Sequence, residues 1–148
     1  MAQNVNSGSD DEYDLNRFFN AQENMYLDVL SELNDGKKRS HWMWFIFPQI
    51  AGLGRSDTAK YYAIKNQEEA RAYLNHPVLG MRLQECAEIV LNLEGKSIPG
   101  IFGYPDDRKF KSSMTLFSCV ADQGSIFERV LNKYFHGERD TGTLELLR

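Results

Sequence analysis

The sequence has few of the residues on which metal and redox chemistry depend. It contains only two cysteines and three histidines in 148 residues. Cys86 and Cys119 do not form a CxxC motif, and no HExxH motif is present, so we predict no metal site. Both cysteines fall in apolar helical patterns, and we expect them to be buried as small hydrophobic side chains.

Long apolar runs and an excess of basic residues are also missing. No segment approaches the roughly 18 apolar residues that a membrane span requires, and the amino-terminal segment lacks the pattern of a signal peptide. Twenty-one acidic residues exceed 17 basic ones, which gives a net charge of -4. We therefore expect a cytoplasmic protein without general electrostatic affinity for nucleic acid or anionic membranes.

The remaining composition is typical of one soluble globular domain. A chain of 148 residues can bury a single core, and 42% hydrophobic and 26% charged residues are ordinary proportions. Residues 1–12 are small, polar and acidic, and we predict that they form a disordered tail. The domain would then cover residues 13–148.

Apolar residues recur with the period of an α-helix along nearly all of this domain, and no alternation typical of strands is visible. We predict one long first helix, with an N-cap at Asp14 and a stop at Gly36. Further helices are expected to begin after caps at Ser56 and Asp140, and at Asn66 or Gln67. The sequence thus predicts an all-α, multihelical fold.

Residues 39–56 contain both tryptophans of the protein, Trp42 and Trp44, followed at once by two phenylalanines. Rings of this size dominate any core that they enter, and their faces can also stack on a flat ligand. The stretch is the hub of the core, the wall of a pocket, or both. In a pocket, His41 and Gln49 would orient polar edges of a ligand, and His41 is the preferred general acid or base because its ordinary pKa is near neutral.

The same stretch ends in Gly-Leu-Gly-Arg-Ser, which includes Gly54, Arg55 and Ser56. Glycine permits close approach of a ligand, a helix N-terminus offers free N–H groups to an anion, and arginine can pair with phosphate. The spacings of the P-loop and of the Rossmann fingerprint are absent. An ordinary tight turn is the alternative interpretation.

Three polar residues fall near the apolar faces of predicted helices. Gln22 is either a core glutamine with backbone partners or part of a polar pocket. Lys109 and Ser113 lie one turn apart on a helix that begins near Asp106. They could anchor a ligand, form a Ser–Lys nucleophile, or simply pack.

Four segments together resemble the DUF1810 family: RSHWMWFIFPQIAGLGRS at 39–56, YAI at 62–64, AYLNHPVLG at 72–80 and SSMTLF at 112–117. The resemblance extends over residues 13–147. It implies an all-helical fold, and the family's members are small, mostly bacterial proteins. The family has no established activity, so the resemblance transfers no catalytic residue, cofactor or partner.

Our first functional hypothesis is a small-molecule site for a phosphorylated, flat-ringed ligand, either a nucleotide or an ADP-ribose derivative. Trp42 or Trp44 would stack on the ring, whereas Arg55, the Ser56 backbone and Lys109 would hold phosphate. A hydrolase or glycosidase would be compatible with such a site. The sequence identifies no cofactor and does not decide whether the protein is an enzyme.

Two other functions stay open. The protein could be a non-enzymatic interaction module, in which the aromatic stretch is core and an exposed helix face binds a partner protein. Binding of single-stranded nucleic acid would use the basic residues 37–39 beside the tryptophans, but the acidic net charge disfavours it.

Overall fold

Residues 11–148 fold into ten helices, and one long helix among them is central to the packing of the others. The computed structural model describes residues 11–148, and the helices of that part of the chain are α1 (Asn16–Glu23), α2 (Tyr26–Asn34), α3 (Met43–Ile46), α4 (Asp57–Tyr61), α5 (Gln67–Asn75), α6 (Leu79–Asn92), α7 (Ile98–Phe102), α8 (Asp106–Val120), α9 (Ile126–Phe135) and α10 (Thr141–Leu146). The central helix is α8, which packs against α3, α5, α7, α9 and α10. The predicted all-α, multihelical fold is confirmed.

Helix α8 owes its position to the apolar side that its sequence predicts. Two acidic residues lie in its first turn, where they favour the positive end of the helix dipole. Phe110, Met114 and Phe117 are completely buried. The Phe110 ring contacts Phe47 at 4.9 Å between centroids, and Phe117 contacts Tyr73 at 5.5 Å. The long helix therefore joins the aromatic stretch to α5.

The first helical segment is divided into two helices, so the prediction of one helix is wrong. Asn24 and Met25 both donate a backbone hydrogen bond to the carbonyl oxygen of Gln22, which closes α1 in a tight turn. After the break, α1 packs against α3 whereas α2 packs against α6. Each half of the segment thus packs against a different neighbour. The stop at Gly36, which has a positive φ of 70°, is confirmed.

The amino-terminal cap also differs from the prediction. Asp14 has a left-handed backbone conformation, with φ of 54°, and its side chain does not cap α1. The Asp11 carboxylate instead accepts hydrogen bonds from the backbone N–H groups of Leu15 and Asn16. Asp11 thus contributes to the folded domain, although its sequence context places it in the tail. Residues 1–10 of the predicted tail lie outside the described residues.

The predicted caps at Ser56 and Asp140 are confirmed, and Asn66, one of the two residues predicted to open α5, also caps its helix. Ser56, Asn66 and Asp140 each accept a hydrogen bond from the backbone N–H three residues later, at 3.1, 2.9 and 2.9 Å. Such a bond satisfies one of the N–H groups that have no partner within the helix. These caps place the starts of α4, α5 and α10 where the sequence predicts them.

The two cysteines have different environments. Cys86 on α6 is completely buried, as predicted, whereas Cys119 near the end of α8 is exposed. The prediction for Cys119 is wrong because its position on the helix turns away from the side that carries Phe117. Within residues 11–148, no helix has the length and apolar character needed to cross a membrane.

Candidate functional site

The structure separates the roles of the two tryptophans. Trp42 is fully enclosed in the core, and its Nε1 atom donates a hydrogen bond to Glu32 Oε1 at 2.9 Å. Trp44 is only partly buried. The predicted stacking role is therefore excluded for Trp42 in this conformation, because no face of its indole ring is accessible to a ligand. Trp44 lies at the surface of the domain beside a cleft.

Glu32 fixes the segment that leads into the aromatic stretch. Its buried carboxylate accepts hydrogen bonds from the backbone N–H groups of Arg39 and Ser40, the Ser40 hydroxyl and the Trp42 indole. Burial by itself would raise the pKa of this carboxyl, but these hydrogen bonds lower it to about 2. Glu32 thereby holds Trp42 and the preceding loop in place, which in turn positions Trp44.

The cleft beside Trp44 has a volume of about 350 Å³. We call it the Trp44 cleft. Its walls come from the aromatic stretch and the following loop, from the first half of α8 and from the start of α10. The lining residues are Trp44, Gln49, Leu53, Gly54, Pro105, Arg108, Lys109, Ser112, Asp140 and Gly142.

Trp44 and Lys109 form the most specific contact in this cleft. The Lys109 Nζ atom lies 4.1 Å from the centre of the indole ring, which is the geometry of a cation–π interaction. The same ammonium lies 3.2 Å from Asp106, whose carboxylate also pairs with Lys38 at 2.9 Å. Burial opposes the charged form of Asp106, yet the hydrogen bonds from Lys38 and Lys109 lower its pKa. Lys109 is thus held in a fixed position above the ring.

Four of the ten site residues proposed from the sequence line the Trp44 cleft: Trp44, Gln49, Gly54 and Lys109. His41, Arg55 and Ser56 are exposed and do not line it. The expected meeting of His41, Arg55 and Lys109 in one cavity is therefore not found. Ser56 instead caps α4, which accounts for its position.

Gln22 and Ser113 lie inside the domain rather than at the cleft. Gln22 Nε2 donates to the carbonyl oxygen of Phe45 at 2.7 Å and to the Tyr73 hydroxyl at 3.1 Å, and Arg82 donates to its Oε1 atom. This is the core glutamine of the first interpretation. Ser113 is completely buried and its hydroxyl has no hydrogen-bond partner among the described residues. The proposed pairing with Lys109 as a nucleophile has no support in this geometry.

Sequence reasoning missed three polar residues of the cleft, Arg108, Ser112 and Asp140. Arg108 precedes Lys109 in the same basic segment, but helical spacing alone did not assign it to this face. The Ser112 hydroxyl donates to the Arg108 carbonyl oxygen at 3.1 Å, within its own helix. Asp140 was recognised only as a helix cap. Its Oδ2 atom accepts bonds from the backbone N–H and the hydroxyl of Thr143.

The described residues contain no group of three or more His, Cys, Asp or Glu side chains arranged to hold a metal ion. The polar groups at the Trp44 cleft are instead two cations, one carboxylate, one amide and one hydroxyl, beside a large aromatic ring. Such a set can bind a ligand through stacking, hydrogen bonds and charge.

Comparison with known proteins matches residues 12–147 to a family described as "Protein of unknown function (DUF1810)". This chain belongs to the DUF1810 family. The resemblance found in the sequence motifs is thus confirmed over nearly the whole chain. Comparison with the curated proteins gives no match.

A solved structure shares the DUF1810 fold. It is the crystal structure at 1.38 Å of the conserved hypothetical protein Rv1873 from Mycobacterium tuberculosis. That protein is 50% identical to this chain, with a TM-score of 0.91, and the match covers 93% of this chain and 98% of that one. The helical arrangement described above is therefore also found in an experimental structure.

Proposed function

We propose that the Trp44 cleft binds a small molecule with a flat ring and a phosphate group, such as a nucleotide or an ADP-ribose derivative. The observation that supports this most is the ammonium of Lys109 held 4.1 Å above the Trp44 ring, at the wall of an open cleft. A flat ring would contact the accessible part of the indole, and phosphate would pair with the ammonium beside it.

Arg108 supplies the second cation of the proposed phosphate site. Its side chain is exposed, and it has no carboxylate partner within 4.0 Å among residues 11–148. Its guanidinium lies over the Tyr104 ring at 5.1 Å, which orients it without neutralising its charge. Arg108 thus replaces Arg55 as the arginine expected to bind phosphate. Gln49 would contribute hydrogen bonds to polar edges of the ring.

The cleft limits which reaction could accompany binding. A hydrolase or glycosidase needs an acid or base next to the ligand, and His41, the residue preferred from the sequence, does not line the cleft. Asp140 is the carboxylate that lines the cleft, and one of its oxygens already accepts hydrogen bonds from Thr143. We therefore propose binding as the function and Asp140 as the residue to test for any hydrolysis.

Tryptophan fluorescence gives a direct test, because Trp44 lines the cleft and Trp42 is buried away from it. AMP, ADP-ribose and inorganic phosphate would be titrated separately. We expect AMP or ADP-ribose to quench the fluorescence of the native protein and of Trp42→Phe, with no quenching in Trp44→Phe. Calorimetry on Trp44→Phe would show whether affinity is lost together with the signal.

Two cleft variants and one matched control locate the phosphate. Arg108→Gln and Lys109→Gln should each weaken binding about tenfold, the effect expected for loss of one hydrogen bond to a charged group. Arg55→Gln removes the same kind of charge outside the cleft and should leave binding unchanged. The proposal is wrong if no nucleotide binds, or if Arg55→Gln weakens binding as much as Arg108→Gln.

The interaction-module hypothesis has a separate basis in the exposed surface. Leu27 on α2, Met81 on α6 and Tyr104 before α8 are 81%, 55% and 75% exposed. Apolar side chains at the surface can contribute to a protein interface. Under this hypothesis Leu27→Ser, but not Arg108→Gln, would abolish capture of a partner protein by the purified chain. Retention of every captured partner by Leu27→Ser and Met81→Ser would contradict it.

A further inference from the structure

A second cleft lies between the start of α7, the first half of α8 and the end of α9. Its volume is about 470 Å³, larger than that of the Trp44 cleft. We call it the Lys96 cleft. It is lined by Lys96, Ser97, Ile98, Pro99, Asp107, Arg108, Lys111, Lys133, Tyr134 and Phe135.

The walls of the Lys96 cleft combine apolar side chains with phenol and hydroxyl groups. Ile98 and Pro99 come from α7, and Tyr134 and Phe135 come from the last turn of α9. The Tyr134 hydroxyl donates to the Val90 carbonyl oxygen at 2.6 Å, which fixes this ring against α6. A ligand in the cleft would therefore meet a preformed apolar surface.

Four cations surround this apolar surface, against one carboxylate. They are Lys96, Arg108, Lys111 and Lys133, and the carboxylate is Asp107. The lining thus carries a formal charge of +3 on a chain whose net charge is -4. The cleft is therefore positively charged, although the protein as a whole is negatively charged.

Three of these cations have no carboxylate partner within residues 11–148. Only Lys111 is paired, with the exposed Glu138 at 2.8 Å, whereas Lys96, Arg108 and Lys133 are in no ion pair. Lys133 donates to the carbonyl oxygens of Leu91 and Leu93 at the end of α6. An ammonium has three donors, so the position of Lys133 is fixed while one donor stays available.

We infer that the Lys96 cleft binds an amphipathic anion, a small molecule with a phosphate or carboxylate group on an apolar chain or ring. The anionic group would pair with the unpaired cations, and the apolar part would cover Pro99 and Phe135. Ligand pockets of this kind combine an apolar lining with a few well-placed polar groups. This ligand differs from the one proposed for the Trp44 cleft, although Arg108 borders both.

Calorimetry with octyl phosphate, below its micelle-forming concentration, tests the inference. Octyl phosphate should bind. Inorganic phosphate lacks the apolar chain and octyl glucoside lacks the charge, so each should bind at least about tenfold more weakly. Octanoate, titrated in parallel, distinguishes a carboxylate ligand from a phosphate ligand. Equal binding of octyl glucoside would overturn the inference, because charge would then play no part.

Two cleft variants and two control variants, all at lysines, locate the site. Lys96→Glu and Lys133→Gln should each weaken binding of octyl phosphate by tenfold or more, on the order of one charged hydrogen bond. Lys60→Glu makes the same charge change at an exposed position of α4 that borders neither cleft, and it should have no effect. Lys109→Gln, which alters only the Trp44 cleft, should also leave this binding unchanged. An equal loss in Lys60→Glu or Lys109→Gln would place the anion elsewhere and refute the proposal.

Discussion

Arg17 Nη2 lies 2.8 Å from Glu69 Oε2, and both side chains are almost completely buried. Arg17 also donates to the carbonyl oxygens of Tyr61 and Ala63, while Glu69 accepts from the backbone N–H of Lys65. The pair therefore ties α1 to α5, and the other two bonds of Arg17 tie α1 to the end of α4 and the residues that follow it. Each charge is satisfied by the other and by backbone groups, which is the condition for burying an ion pair.

Removal of one partner of this pair should strongly destabilise the fold. We expect Glu69→Leu to lower the free energy of unfolding by about 3–5 kcal/mol, because the Arg17 guanidinium would stay buried without its counter-charge. The double variant Arg17→Met/Glu69→Leu should be less destabilised than the sum of the single variants. Urea unfolding at pH 7 measures the stability of all three variants.

The exposed pair Arg39–Asp35 is the control, and Asp35→Ala should lower the free energy of unfolding by less than about 1 kcal/mol. The prediction would be wrong if the destabilisation of the double variant equalled the sum of those of the two single variants.

Acidification should destabilise the protein partly through Glu32. The folded-state pKa of about 2 lies below the ordinary value of 4.5, so the stabilisation is complete above pH 4.5 and is lost as the pH falls toward 2. The contribution of Glu32 at pH 3 should be smaller than at pH 7 by about 2 kcal/mol.

Urea unfolding of the native protein and of Glu32→Gln, at both pH values, isolates this contribution. Other carboxyl groups titrate in both proteins and cancel in the comparison. The native protein should lose about 2 kcal/mol more than Glu32→Gln between pH 7 and pH 3. Parallel pH dependence of the two proteins would exclude Glu32 as the cause.

The two tryptophans should differ in their contribution to stability. Trp42→Ala should lower the free energy of unfolding by about 3–5 kcal/mol, because it leaves a cavity in the core and removes the indole donor from Glu32. Trp44→Ala should cost less than about 2 kcal/mol, because part of its ring is already in contact with solvent. Denaturant unfolding of the two variants is the measurement. Equal losses would show that Trp44 is as much a core residue as Trp42.

Gly80 should not tolerate even a methyl group. A Cβ atom at this position would lie 1.9 Å from the carbonyl oxygen of Leu74, so the backbones of α5 and α6 would have to separate. We expect Gly80→Ala to cost about 3 kcal/mol or more. Met81→Ala, at the exposed neighbouring position, is the control and should change stability by less than about 0.5 kcal/mol. Thermal unfolding of both variants distinguishes a steric effect at Gly80 from a general sensitivity of α6.

The two thiols should react at very different rates. Cys119 is exposed, whereas Cys86 is enclosed, and burial raises the pKa of its thiol to about 12. The thiolate is the reactive form, so an aromatic disulfide reagent at pH 8 should modify one thiol in the native protein and two in urea. Cys119→Ser should abolish the fast reaction. Rapid modification of two thiols without denaturant would contradict the buried position of Cys86.

The fold could be predicted from the sequence because the patterns that specify it lie within short segments of the chain. Residues such as Phe110, Met114 and Phe117 repeat at helical spacing, and capping side chains bond N–H groups only three residues away. The division between α1 and α2 was not accessible in the same way. It depends on which neighbours the two halves pack against, and those neighbours are distant in the chain.

The candidate site could be predicted from the sequence even less completely than the fold. The sequence identified Trp44, Gln49, Gly54 and Lys109 as residues suited to binding a ligand. It could not tell Trp44 from Trp42, since they are two residues apart in one aromatic stretch. The two tryptophans differ because the Glu32 carboxylate accepts a hydrogen bond from the Trp42 indole and holds that ring in the core. Arg108 was overlooked because its exposure toward two clefts depends on how α7, α9 and α10 surround α8.

The sequence by itself determined the helical class, the caps of α4 and α10, the stop at Gly36, the apolar side of the central helix and the family of this protein. These follow from hydrophobic periodicity, from short-range hydrogen bonds and from motifs of adjacent residues. Only the tertiary structure decided which tryptophan borders a cleft, which cations lie together and which polar residues are buried. Those properties depend on side chains brought together from separate helices, and the physical reason is that burial and charge pairing are set by neighbours in space rather than in sequence.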